Sequence, residues 1–260
     1  MELGLQGRKA IVSGASKGLG KACALSLARE GVDLTIMART RADLRAAADE
    51  IASATGVSVQ PVAGDFNVAA ERARLLDACP EPDILVNNPG VRQVPTPYAD
   101  IGETEWRQWL NDHFLSSITL IQQVAPGMCE RGFGRIVNLS VSFIKFPQSG
   151  FAHTHAARLA LSGAVAAMAR DLVGHNVTVN TVCPGLFDTD ALQTNLHGHA
   201  ERGNTTYEAI VEDRKRNCPA GRFADASECG DLVAFLCSAQ AGFMTGQNII
   251  NDGGVYQGIF

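Results

Sequence analysis

Ser13-Gly14-Ala15-Ser16-Lys17-Gly18-Leu19-Gly20 is the stretch that decides the fold of this chain. It follows a short apolar run, Ala10–Ser13, and leads into Lys21–Glu30, whose apolar residues recur at helical spacing up to Gly31. A glycine pattern alone says little, but one that joins a strand to a helix has a specific use. Glycines let the backbone turn tightly and approach a pyrophosphate, and the helix start offers unpaired N–H groups to the anion. An ordinary glycine turn is the alternative use of the same residues.

The alternation of strand and helix continues outward from this turn. Leu34–Met37 is strand-like, Arg41–Ser53 is alanine-rich and helical, and Val57–Val62 reads as a third strand. Ile84–Val86 is apolar throughout, as a strand buried on both faces must be. A long helix is predicted over Trp106–Met128, a strand over Arg135–Leu139, a small-residue helix over Ala156–Val173 and a strand over Val177–Val182. The pattern predicts an α/β chain: a Rossmann-like, doubly wound parallel sheet with helices on both faces. Without a repeat, linker or low-complexity segment, residues 1–260 read as a single domain, with a substrate lid segment around residues 190–221.

Composition narrows the classes of function. The 260 residues carry 22 Lys+Arg against 27 Asp+Glu, a formal charge of −5, and 46% are hydrophobic. A mildly acidic chain with no basic block is not built to grip a nucleic acid backbone. No apolar run is long enough to span a bilayer, and MELGLQGRKA at the N-terminus lacks the layout of a signal peptide. The 7 cysteines are odd in number and form no C-x-x-C, so free thiols in a reducing cytoplasm are expected, with no metal site.

The cofactor can be read from the second strand, which ends Ile36-Met37-Ala38-Arg39-Thr40. An NAD enzyme places Asp or Glu near this point to hold the ribose 2′-hydroxyl. Ala38 leaves that place empty, while Arg39 and Lys17 put positive charge beside it. A guanidinium suits a 2′-phosphate in both charge and fork geometry, so NADP(H) is expected. The alternative for Arg39 is a solvated surface arginine.

At this point the chain resembles the short-chain dehydrogenase/reductase family. The spacing Gly14, Gly18, Gly20 is that family's, and its N-N-A-G stretch appears as Asn87-Asn88-Pro89-Gly90. Its strand-end aspartate beside the adenine matches Asp65, followed by Phe66. Its P-G-x-x-x-T, which holds the nicotinamide amide, matches Pro184-Gly185-Leu186-Phe187-Asp188-Thr189. Its C-terminal motif matches Thr245-Gly246 through Asp252-Gly253-Gly254. The resemblance implies cofactor contacts from Gly14, Ser16, Lys17, Gly18, Leu19, Gly20, Arg39, Asp65, Phe66, Asn88, Gly90, Arg158, Pro184, Gly185, Phe187 and Thr189. Pro89 replaces the family's alanine, which removes an N–H and fixes φ.

The resemblance also implies an Asn-Ser-Tyr-Lys tetrad, and here the chain departs from it. Counting along the matched segments puts His113 at the Asn position, Val141 at Ser, Thr154 at Tyr and Arg158 at Lys. Thr cannot replace a phenol as an acid, and Arg158 can keep a ribose contact but cannot shuttle a proton. Lys145, in the loop after the strand, is the candidate donor, with Ser142 as its partner. His113, His153 and His155 are expected near the pocket mouth, where imidazoles titrate in a useful range. Each has a bland alternative: a surface lysine for Lys145, a hydrogen-bonded core histidine for His113. Ser140 is expected to pack or hydrogen-bond at the strand end, and His197-x-His199 to lie in solvated loop. His153-x-His155 is a poor metal pair, since residues two apart do not share a helix face.

Three readings follow. The first is an NADP(H)-dependent oxidoreductase acting on a carbonyl or alcohol, with a non-standard proton-transfer site. The second is a non-redox enzyme on the same fold, such as a lyase, dehydratase or epimerase. The third is a catalytically silent subunit that supports an active homologue. The resemblance implies a homodimer or homotetramer built on the two longest helices, or a mixed oligomer. The small face of the later helix (Ala156, Ala160, Gly163, Ala164, Ala167) would allow close packing.

Overall fold

The structure is a computed structural model that describes residues 2–90 and 95–259. The chain begins with β1 (Lys9–Ser13), α1 (Gly18–Arg29), β2 (Asp33–Ala38), α2 (Arg41–Thr55), β3 (Val59–Ala63), α3 (Ala69–Ala78) and β4 (Ile84–Asn87). After residues 91–94, α4 (Glu103–Leu110) runs through a π-helical turn at Asn111–Leu115 into α5 (Ser116–Glu130). Next come β5 (Gly134–Leu139), α6 (Ala152–Leu172), β6 (Val177–Pro184) and the short β7 (Phe187–Asp188). The chain ends with α7 (Asp190–Arg202), α8 (Tyr207–Arg216), β8 (Ala224–Asp225), α9 (Ala226–Cys237) and β9 (Asn248–Asn251).

Among the described residues seven strands form one sheet in the order β3-β2-β1-β4-β5-β6-β9, and its six pairings are all parallel. β4, β5 and β6 are buried along their whole lengths, because helices cover both faces. Alternate residues of one strand therefore enter different cores. Ala10 and Val12 pack with α1, α2 and α9 residues such as Leu27, Leu44 and Val233. Ile11 between them packs with Leu75, Leu120 and Leu161 from α3, α5 and α6. Each such fully buried Leu or Ile contributes about 1.5–3 kcal/mol relative to exposure. Pro61, which has no N–H, sits on β3 at the sheet edge, where one side of the strand needs no donor.

The strand order reverses between β1 and β4, so their C-terminal ends open a crevice. Ser13-Gly14 leaves one side of it and Asn87-Asn88 the other. Asn87 and Asn138 are partners in register and bond across β4 and β5 through their side chains at 2.9 Å.

Several boundaries differ from the sequence-based expectation, each for a local reason. α6 begins at Ala152 rather than Ala156, because His153, Thr154 and His155 are polar yet buried and so break the apolar period. α3 carries a weak apolar stripe, with only Arg72 and Leu75 buried, and periodicity did not find it. α9 was also missed, although Asp225 and Glu228 form a legible capping box at its start. His197 and His199 lie on α7, not in loop, and His197 stacks on Tyr207 at 4.3 Å. The segment expected to act as a lid holds two helices, α7 and α8. Six of the seven free cysteines are buried, as small apolar side chains would be. No helix among the described residues is long and apolar enough to cross a membrane.

Candidate active site

Two groups of residues flank the crevice. The first is the turn from β1 into α1. Gly14 and Gly18 have φ of +61° and +57°, conformations that favour glycine. A Cβ on Gly14 would lie 2.5 Å from the Asn88 carbonyl oxygen, and one on Gly20 would lie 2.1 Å from the Gly14 carbonyl oxygen. The turn is pinned from both neighbours. The Asn88 N–H donates to Ser13 Oγ at 2.8 Å, and the Ala15 N–H donates to the Met37 carbonyl at 3.1 Å. Lys17, at the N-cap of α1, makes no side-chain cap bond, so the first N–H groups of that helix face the crevice uncapped by it.

Lys17 and Arg39 are both exposed and form no ion pair among the described residues. Asp65 is half-buried and accepts the Asn67 N–H at 2.9 Å, and Phe66 beside it is buried. Ser16, Leu19 and Gly90 are half-buried around the same turns. Pro184 closes β6, Phe187 is buried on β7, and Thr189 caps α7 by accepting the Leu192 N–H. Apart from Arg158 on α6, these residues lie at or just beyond the C-terminal ends of the strands, although they span most of the chain. A cleft of about 540 Å³ lies outside α1, lined by Gly18, Lys21, Arg29, Asp188, Thr189 and Asp225. It reaches these residues at Gly18 and Thr189 but not the second group.

That second group surrounds the start of α6. Thr154 is 0% exposed and Arg158 3%, and both carry polar atoms without a hydrogen-bond partner. His113 lies on the π-helical turn, a widening that often marks functional positions. Its ring stacks on Trp109, one helical turn earlier, at 4.9 Å. Trp109 also meets His153 edge-on at 4.5 Å, so one indole wedges the two imidazoles. His155 Nε2 accepts the Gln148 N–H at 3.1 Å and its ring meets Phe143. Asn111 points elsewhere, donating to the Asn67 carbonyl at 3.5 Å.

The expectation that these histidines titrate near neutrality is corrected by their burial. Desolvation, with Arg158 and His153 nearby, pulls His113 down to about 2. Desolvation also lowers His153 and His155. At neutral pH they are uncharged hydrogen-bonding groups rather than proton donors of matched strength. The hydrogen bond expected for a core His113 is also missing, since its Nδ1 is buried without a partner. Ser140 likewise packs at the end of β5 with Oγ unpartnered.

Ser142 and Lys145 open and close one 3-10 turn after β5, Ser142 buried and Lys145 half-buried. Lys145 and Arg158 both act on Cys183, whose thiol burial pushes to about 12. Cys183 therefore links the two cations within one neighbourhood, and sequence reasoning had not singled it out. Trp109 was missed as well, though its i,i+4 spacing to His113 was a usable signal. Tyr256 stacks on Phe146, which follows Lys145, at 6.1 Å. No local signal announces that contact, because it joins the C-terminal tail to the loop after β5. Among the described residues no group of His, Cys, Asp and Glu could hold a metal.

Comparison with known proteins bears on the fold and the family. The family described as enoyl-(acyl carrier protein) reductase matches residues 14–256. An uncharacterized oxidoreductase of Bacillus subtilis, YvaG, is 33% identical over 100% of both chains. The crystal structure of YwfH, an NADPH-dependent reductase involved in bacilysin biosynthesis, superposes with a TM-score of 0.90 at 28% identity, covering 97% of this chain and 99% of that one. A 3-oxoacyl-(acyl-carrier-protein) reductase from Agrobacterium tumefaciens, solved with NADP bound, has a TM-score of 0.85 at 29% identity over 97% and 95% of the chains.

Proposed function

This chain belongs to the short-chain dehydrogenase/reductase family of oxidoreductases, and we propose that it is an NADP(H)-dependent enzyme that interconverts a carbonyl and an alcohol through a rebuilt proton-transfer site. The observation that carries the cofactor is the turn at Gly14–Gly20, where a Cβ on Gly14 would strike Asn88 at 2.5 Å. That close approach, with an uncapped helix start behind it, suits a pyrophosphate. The two solved reductases named above, one NADPH-dependent and one holding NADP, support the same cofactor.

When bound, NADP(H) supplies or accepts the hydride. Lys17 and Arg39 would hold its 2′-phosphate, Asp65 and Phe66 its adenine, and Asn88 and Gly90 the adjoining ribose region. Pro184, Gly185, Phe187 and Thr189 would hold the nicotinamide end, with Arg158 on its ribose. Lys145 would move the proton at the substrate oxygen, and Ser142 would orient that oxygen from the same turn. Thr154 can hydrogen-bond there but cannot exchange a proton, since a hydroxyl lies far above the phenol range of about 10. His113, held neutral, would position rather than protonate. The solvent-facing small residues of α6, Ala156, Gly163 and Ala167, support a homo-oligomer packed through that helix.

The test is calorimetric titration with NADPH and NADH, followed by turnover on a panel of ketones, aldehydes and alcohols. The expected result is NADPH binding about tenfold or more tighter than NADH, from charge-assisted bonds to the phosphate, with measurable turnover. Failure to bind either nucleotide overturns the proposal. Tight binding without any turnover moves the chain to the non-redox enzyme or to the silent subunit.

A further inference from the structure

Arg158 is almost fully enclosed, at 3% exposure, and its Nε and Nη2 are buried without hydrogen-bond partners. Those two nitrogens form one edge of the guanidinium, whose parallel N–H bonds match the two oxygens of a carboxylate. Burial lowers its pKa only to about 10, so it remains charged at neutral pH. A buried charge with neither a counter-ion nor satisfied donors is strongly destabilising.

No group of the described residues around it supplies the missing anion. His113 on the π-helical turn and His153 and His155 on α6 are held neutral by burial. The Cys183 thiol, pushed to about 12, is neutral too. Lys145 adds a second cation to the same neighbourhood. Glu105 on α4 acts on His153, whereas the charge effects on Arg158 come from Cys183. Residues 91–94, Val-Arg-Gln-Val, contain no acid. A cofactor ribose can accept hydrogen bonds from the guanidinium, but it carries no charge and so does not supply the counter-ion.

We propose that the Nε–Nη2 edge of Arg158 seats a carboxylate of the substrate, so that the carbonyl or alcohol acted on is an oxo acid or a hydroxy acid. This rests on the oxidoreductase function above for the reacting group, but the seat itself is a binding site that can be tested without turnover. Thr154, four residues before Arg158 on the same helix, has a buried, unpartnered hydroxyl that would add a hydrogen bond to the bound carboxylate.

The experiment titrates the protein, with and without saturating NADPH, with acetate and oxamate, and with oxamide as the neutral control. It uses calorimetry at pH 7.5 and constant ionic strength set with chloride. The wild type is expected to bind a carboxylate and not oxamide. Arg158→Leu should weaken that binding about tenfold or more, the scale of a bidentate charged hydrogen bond. Arg158→Lys, which keeps the charge but loses the fork, should fall between. Circular dichroism of each variant shows whether it is folded, and Arg158→Lys decides the matter if Arg158→Leu is not. Equal binding of carboxylate and amide, or full carboxylate affinity in Arg158→Lys and Arg158→Leu, overturns the seat. Loss of NADPH binding by the wild type, with carboxylate binding intact, overturns the oxidoreductase proposal and leaves the seat standing.

Discussion

At the Gly14–Gly20 turn the polar groups that face the crevice are mostly backbone, whereas at the start of α6 they are side chains. The turn holds its shape through contacts within the chain: Ser13 to Asn88, Ala15 to Met37, Gly20 against Gly14. The α6 group does not satisfy itself. His113, His153, Thr154, His155 and Arg158 all keep buried polar atoms without partners. Well-folded interiors tolerate few such atoms, and their concentration here is what the substrate seat proposed above would relieve. The shape of the turn is set by the fold alone, whereas the α6 group keeps side-chain polar atoms that the fold leaves unpaired.

The sharpest way to break this comparison is at Lys145. Lys145→Met should lower turnover about 10²–10⁴-fold, the worth of a positioned proton donor, while NADPH affinity by calorimetry stays unchanged. A fully active Lys145→Met would mean that the side-chain region does not depend on it. Gly20→Ala probes the other side. Its Cβ would meet backbone at 2.1 Å, which cannot rotate away. Overpacking of this kind costs about 1–3 kcal/mol, so thermal denaturation should shift down and NADPH binding should fail. Arg39→Ala should weaken NADPH about 10- to 100-fold with NADH unaffected, since the lost contact is a charge-assisted one to the 2′-phosphate. Equal loss for both nucleotides would make Arg39 a general anchor instead.

The smallest effect is one of stability. His113 has its folded pKa depressed from 6.5 to about 2. Below the unfolded pKa the denatured chain takes up a proton that the native chain refuses, so stability is full above pH 6.5 and falls as pH drops below it. The slope is about 1.4 kcal/mol per pH unit until the folded pKa is reached. Urea denaturation between pH 7 and 5 should show a shallower fall in His113→Asn than in the wild type. Identical slopes would place the imidazole in contact with water.

Much of this molecule was legible before its structure. Gly14, Gly18 and Gly20, the apolar run at Ile84–Val86 and the empty position at Ala38 each report a local requirement. A tight turn, a strand buried on both faces and an absent acid are written in neighbouring residues. The start of α6 is different, because His153 and Thr154 look like loop residues until the sheet, α4 and the π-helical turn close over them.

By itself the sequence determined the doubly wound sheet and the cofactor turn, since backbone conformation follows from glycine placement and short-range apolar period. By spacing it also put His113, Val141, Thr154 and Arg158 where the family resemblance implies Asn, Ser, Tyr and Lys. Only the tertiary structure decided that the histidines are neutral, that Lys145 and Arg158 share Cys183, and that Arg158 forms no ion pair among the described residues. Charge state and pairing depend on burial and on what lies across the fold. Both arise from contacts between residues far apart in the chain, which no local pattern encodes.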